Sequence, residues 1–224
     1  MLRTFKIGGI HPCDNKLSKS SSIEVFPLPA KVVIPLSQHI GAPASPVVAK
    51  GDKVKVGTLI ATAAGFVSSN IHSSVSGTVA AVDMVPDTAG IRKMSVTINV
   101  EGDEWEESID RSDILVKECN LSSKEIIDKI AAAGIVGMGG ATFPTQVKLS
   151  VPPGKKAEYL IINGVECEPY LTSDHRVMLE KAEQVMVGVD ILCKALDVKK
   201  AYIGIENNKP DAIAHMSKVA ATYP

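Results

Sequence analysis

At 224 residues the chain is long enough for one large domain or two modest ones with cores of their own. Apolar residues make up 45% and charged residues 22%, the mix of an ordinary globular protein. A formal net charge of -1 and only 4% aromatic residues supply neither the positive field nor the stacking platforms of a nucleic-acid binder, so no nucleic acid is expected as a partner.

No stretch stays apolar for the roughly 18 residues that a membrane span needs. The start, Met1 to Lys19, carries Arg3, Lys6 and Lys16 but no apolar signal core with a cleavage site. A cytoplasmic location is the expectation, with docking onto a membrane complex left open. The cysteines Cys13, Cys119, Cys167 and Cys193 form no Cys-x-x-Cys pair, so neither a zinc knuckle nor an iron–sulfur cluster is expected within this chain. Each reads as a buried or semi-buried thiol, Cys167 standing apart because it lies in a polar loop.

In chain order, residues 1–30 read as an N-terminal extension and residues 31–105 as a small all-β module. Candidate strands are Lys31–Leu36, Val54–Thr62, Gly77–Met84 and Lys93–Val100, punctuated by Pro43, Pro46, Gly51, Gly65 and Gly90. The last strand alternates, with Met94, Val96, Ile98 and Val100 on one face and Ser95, Thr97 and Asn99 on the other. After Trp105 the period changes. Ser122 is placed to cap a helix, Glu125 closes its capping box, and Gly134 suits a left-handed stop. Glu158–Ile162 reads as a buried strand, Asp174–Leu196 as one long helix and Lys200–Ile205 as another strand. Asn208 and Pro210 open a final helix to about Ala221. This order predicts a parallel α/β sheet over residues 106–224, with a ligand site outside the carboxyl ends of its strands. A βαβα run is short of strands for a doubly wound sheet, which points to a fragment of a longer protein.

Two segments are candidates for chemistry. Gly137-Met-Gly-Gly-Ala-Thr-Phe-Pro, continuing to Lys148, puts three glycines in four positions directly after a helix. Such a run either makes a tight turn with left-handed angles or lets a planar or anionic ligand approach bare N–H groups, with Lys148 adding a charge for phosphate. It is neither the dinucleotide fingerprint nor a Walker loop. The second segment is Asn163-Gly-Val-Glu-Cys-Glu-Pro-Tyr, followed by Asp174, His175 and Arg176. Glu166 and Glu168 suit acid–base work, metal binding, or hydrogen bonds from ribose and nicotinamide; they also suit solvated loop charges.

Gly137 to Thr145 with Lys148, then Asn163 to Pro169, resembles the flavin site of the NADH-binding 51 kDa subunit of respiratory complex I. It is similar still more closely to the C subunits of Rnf electron transport complexes. The run Phe5-Lys-Ile-Gly-Gly-Ile-His-Pro12 with Lys16 resembles the N-terminal signature of that family. The resemblance covers nearly the whole chain. It implies that Gly137, Gly139, Gly140, Lys148 and Asn163 contact FMN, that Glu166 is a flavin-pocket acid, and that Phe143 and Glu168 meet NADH. Met138 stands where the complex I pattern has arginine, and Val165 where it has an aspartate. The resemblance further implies a Rossmann-like FMN/NADH-binding domain and two [4Fe-4S] clusters in a region absent from this chain. It also implies membrane and soluble partner subunits, with ferredoxin an indirect partner, on the cytoplasmic side of the bacterial inner membrane. The complex couples electron transfer between NADH and ferredoxin to ion movement.

Val48-x-Lys-Gly-Asp-x-Val54-x-x-Gly57 followed by Ser76-Gly-Thr-Val79 resembles a lipoyl/biotinyl-type barrel-sandwich hybrid. Carriers of that fold present a lysine at a hairpin apex, where this chain has Ser68 to Ser74. The module is therefore expected to be structural or to dock a partner, with His72 a surface or turn residue. A non-catalytic assembly subunit with a degenerate flavin pocket is the alternative function.

Overall fold

The alternation that marks a half-buried strand places Val96 and Ile98 on one face, and both are fully buried. In the computed structural model, which describes residues 12–223, they belong to the core of an antiparallel β module. The signature residues Phe5 to His11 lie outside the described residues, whereas Pro12 and Lys16 lie within them. The chain divides into two units. One comprises Val25–Glu158 with Ile191–Lys199; the other comprises the described residues up to Glu24, Tyr159–Asp190 and those from Lys200 on.

In the first unit the strands are β1 (Lys31–Pro35), β2 (Ser45–Pro46), β3 (Lys53–Val54), β4 (Leu59–Thr62), β5 (Ile71–His72), β6 (Gly77–Pro86) and β7 (Arg92–Val100). They form an antiparallel sheet in the order β1-β7-β6-β3 and a smaller one in the order β2-β4-β5. The expected strand over 54–62 is two short strands that join different sheets. Turn chemistry at Lys55–Thr58, where Thr58 Oγ1 accepts the Lys55 N–H at 2.8 Å, breaks the pairing between them. Leu36, Ile60, Val79, Val96 and Ile98 fill the core, each burial contributing about 1.5–3 kcal/mol. The β module is thus two antiparallel sheets around one apolar core, the architecture expected of a barrel-sandwich hybrid.

Helix α1 (Ser123–Ala132) follows in the same unit, then the short α2 (Thr145–Leu149). Ser122 and Glu125 form the capping box that the spacing implied, satisfying two otherwise orphan donors. At the other end Gly134 has φ +68°, its N–H reaches Ala131 O at 3.1 Å, and the Ile135 N–H reaches Ile130 O at 3.1 Å. That pair of bonds is a Schellman stop. The apolar stripe Ile126 and Ile130 packs with Leu149 and Ala195.

The second unit holds β8 (Leu160–Gly164), α3 (Ser173–Glu180), most of α4 (Ala182–Leu196), β9 (Ala201–Ile205) and α5 (Pro210–Ala220). Strands β8 and β9 are parallel, with Ile162 opposite Ile203. This is an α/β region with two parallel strands. The expected single helix over 174–196 is interrupted at Lys181, whose φ of -131° leaves the helical region. The buried phase His175, Met178, Ala182, Met186 runs through the break, so apolar spacing alone does not reveal it. Pro210 stands at the start of α5, but Asn208 does not cap it: its side-chain amide donates to Glu206 Oε2 at 3.0 Å instead.

Among the described residues no helix is long and apolar enough to cross a membrane. No group of three or more His, Cys, Asp or Glu among them is placed to hold a metal ion.

Candidate functional site

The glycine-rich loop springs from a pinch that backbone bonds make. Val136 bridges Pro144, the Gly137 N–H donates to Phe143 O at 2.9 Å, and the Thr145 N–H donates to Ile135 O at 3.0 Å. Residues 138–142 bulge beyond this neck, Met138 being 89% exposed. Gly137, Gly139 and Gly140 are absent from the residues with positive φ; Thr142 takes that conformation instead, at +48°. A Cβ added to Gly139 or Gly140 would meet nothing within 4 Å, and one added to Gly137 would lie 2.5 Å from Lys148 Nζ. Gly137, Phe143 and Lys148 therefore converge, while Gly139 and Gly140 present bare backbone at the loop's rim. Neither left-handed angles nor packing within the chain accounts for Gly139 and Gly140.

The segment Ser68–Ser74 lies in the same unit and is held down. Ser68 and Ser69 are fully buried. Ser68 Oγ donates to Ala42 O at 2.8 Å, Gln146 Nε2 of α2 donates to Ser68 O at 2.9 Å, and Asn70 Nδ2 donates to Ala132 O at 3.2 Å. His72 lies half-buried in strand β5 rather than on an open turn, and desolvation lowers its imidazole pKa.

The acidic turn belongs to the other unit and follows the carboxyl end of β8. Asn163 Oδ1 accepts the Val165 N–H at 3.1 Å, a local turn that this residue type favours. Glu166 has φ +49°, and its carboxylate accepts N–H groups from Asp174 at 2.6 Å and His175 at 3.3 Å. Ser173 Oγ donates to it as well, at 3.3 Å. Thr172, the residue at the cap position of α3, makes no capping bond with its own side chain. Glu166 thus satisfies that helix's first donors from a distance. Glu168 is exposed. Asp174, whose N–H Glu166 accepts, has its carboxyl pKa raised, first by burial and then by the Glu166 charge, with Lys209 and Lys16 working the other way.

Two lysines hold this turn from behind. Lys16 Nζ donates to the carbonyl oxygens of Glu166 at 2.9 Å, Glu168 at 2.8 Å and Leu171 at 2.7 Å. Lys209, only 2% exposed, donates to Val165 O at 2.8 Å and Glu166 O at 3.4 Å, and also reaches Asn208 Oδ1 and Glu206 Oε2. A lysine between asparagine and proline, just ahead of a helix, carries no signal in the sequence of such burial. His175, also buried, bonds Asp211 Oδ1 through Nε2 at 2.9 Å and so links α3 to α5. Partial burial pushes the Asp211 carboxyl upward, but hydrogen bonds from the Ala212 N–H and His175 outweigh it and leave its pKa lowered.

Of the residues singled out from sequence, the structure gathers Gly137, Phe143 and Lys148 with the glycine rim in one unit, and Asn163, Glu166 and Glu168 in the other.

Comparison with known families divides the chain in two. Residues 4–104 match the RnfC barrel sandwich hybrid domain, and residues 130–224 match the Nuo51 FMN-binding domain. The chain is 52% identical over 220 residues to the C subunit of the proton-translocating ferredoxin:NAD(+) oxidoreductase complex of Clostridium ljungdahlii, covering 97% of this chain and 47% of that protein. It is 47% identical over 224 residues to the C subunit of the Na(+)-translocating ferredoxin:NAD(+) oxidoreductase complex of Acetobacterium woodii, covering 96% of this chain and 48% of that one. To the C subunit of the ion-translocating oxidoreductase complex of Rhodobacter capsulatus it is 46% identical over 222 residues, covering 97% and 42%. The chain therefore spans about half the length of the curated relatives it matches.

Proposed function

The chain belongs to the family of C subunits of ion-translocating Rnf electron-transport complexes, as its N-terminal region, and from that premise we propose that it seats FMN beside NADH in the complete subunit. In this reading an N-terminal extension of residues 1–30 precedes the β module of residues 31–105. Residues 106–224 contribute to a Rossmann-like FMN/NADH-binding domain. The complete subunit lies peripherally on the cytoplasmic face of the bacterial inner membrane and exchanges electrons between NADH and ferredoxin, with ion translocation by its partner subunits. Two [4Fe-4S] clusters belong to the part of the relatives' length that this chain does not span.

The observation that carries the reading is the glycine rim. Gly139 and Gly140 have no neighbour within 4 Å of an added Cβ and no positive φ, so the chain itself does not require them to be glycine. Close approach of a ligand does. Bare N–H groups and one lysine ammonium suit a planar ring that carries a phosphate. When bound, FMN supplies the exchange between the two-electron chemistry of nicotinamide and single-electron carriers. The chain's own part is positional. The loop amides donate to flavin oxygens or phosphate, Lys148 balances the phosphate charge, Phe143 packs on the nicotinamide side, and Glu168 orients the dinucleotide. No side chain need act as nucleophile.

One observation favours the second reading, an assembly subunit with a degenerate flavin pocket: the Glu166 carboxylate is engaged by the start of α3. Titration of the full-length subunit with FMN, followed by quenching of flavin fluorescence, separates the two. Saturable quenching at one flavin per subunit supports the flavin seat. A protein that stays colourless through the titration removes it in favour of assembly.

A further inference from the structure

We propose that Lys209, assisted by Lys16, is the positioning residue of the acidic turn, holding the backbone N–H groups of Glu166 and Cys167 outward as a donor pair for an acceptor atom of the bound flavin or nicotinamide nucleotide. The identity of that ligand rests on the flavin reading above; the orientation of the turn does not.

The charge of Lys209 is almost wholly buried. An ammonium removed from water needs its protons accepted, and Lys209 finds two acceptors in the turn itself, Val165 O and Glu166 O. Lys16 reaches Glu166 O as well, together with the carbonyls of Glu168 and Leu171. Carbonyls normally diverge along a chain, so drawing several toward two ammonium groups fixes the planes of their peptides. In a trans peptide the N–H points opposite the C=O. With the carbonyls of Val165 and Glu166 drawn to Lys209, the next N–H groups, those of Glu166 and Cys167, face away from it. Among the described residues no acceptor takes a hydrogen bond from either N–H. Glu166 adopts a left-handed φ of +49° in this arrangement, and successive N–H groups around such a residue form the concavity that binds electron-rich atoms. The turn lies just past the carboxyl end of β8, where open α/β sheets bind ligands.

The test uses the full-length subunit with Lys209→Met, which keeps a long side chain and removes the ammonium. Met216→Ala, a cavity in the same unit's core away from the turn, serves as a control matched for loss of thermal stability. Lys209→Met is expected to weaken FMN binding, or to raise the KM for NADH, by about tenfold or more, the scale of a lost charge-assisted hydrogen bond. The control is expected to hold both within about twofold, inside the scatter of such measurements. Equal losses in both proteins would reduce Lys209 to a structural role and overturn the proposal, as would wild-type binding in Lys209→Met. Should Lys209→Met fail to fold, Lys16→Met replaces it under the same criteria. Hydrogen exchange on the flavin-free proteins decides the orientation independently of any ligand. Faster exchange at Val165 and Tyr170, with α4 and α5 unchanged, supports the clamp, and unchanged exchange at both overturns it. A wild-type subunit that binds no FMN, with that exchange difference still present between it and Lys209→Met, would sink the flavin reading and leave the clamp standing.

Discussion

The carboxylate of Glu166 lies 2.6 Å from the backbone nitrogen of Asp174, eight residues further along the chain, and accepts its hydrogen bond. A residue whose neighbours in sequence suggest a ligand-facing acid is thereby also the cap of a helix. Glu166→Ala should destabilise the protein by about 1 kcal/mol, the usual cost of a lost cap. Glu166→Gln should lose less, since its amide oxygen still accepts. Urea unfolding of the two variants checks the order; equal stability of Glu166→Ala and wild type would remove the capping role.

Gly139→Val separates folding from binding. Nothing in the chain lies within 4 Å of an added Cβ there, and no left-handed angle is strained, so the melting temperature should stay at the wild-type value. FMN binding by the full-length subunit should be abolished, because a branched side chain fills the space left for the ring. Affinity within about twofold of wild type, less than the scatter expected between independent variants, contradicts this.

Gly134→Ala should behave in the opposite way. Its φ of +68° strains any L side chain, and the new methyl group would strike the carbonyl oxygen of Asn70. A loss of about 1–2 kcal/mol follows from the backbone conformation alone, before the clash is added. Thermal unfolding of the variant measures it.

The two aspartates beside the turn should give opposite pH signatures. Burial and the Glu166 charge raise the Asp174 carboxyl, so the folded state holds that proton more tightly than the unfolded chain does. Its favourable contribution is complete below the unfolded value and is lost as pH rises through the raised one. Asp174→Asn should therefore be more stable than wild type above that window and equal to it below. Asp211 is shifted down, so its contribution is present above the unfolded value and is lost as pH falls through the lowered one. Asp211→Asn should be less stable near neutrality and converge with wild type in acid. Denaturant unfolding across the acidic range reads both, and parallel curves for the two variants would contradict the assignment.

What the sequence determined by itself was whatever depends on neighbours a few residues apart. The Ser122–Glu125 capping box, the left-handed stop at Gly134 and the inward face of Val96 and Ile98 in β7 are set by local backbone sterics and by which face meets the core, so spacing alone exposes them; Met94 is exposed and Ser95 buried, against that same alternation. The glycine run and the acidic turn also stand out by composition, and the structure leaves Gly139 and Gly140 with neither packing nor a left-handed angle to explain them. Tertiary structure decided the rest. Lys16 meets the turn across 150 to 155 positions of chain, Lys209 becomes a buried clamp only once α5 packs against α3 and brings it to Val165 O, and Lys181 interrupts a helix whose apolar phase never falters. The partner of a charge is chosen by long-range approach, and burial makes that choice consequential: in water either lysine would need none, whereas inside the unit the carbonyls that satisfy it are fixed by it.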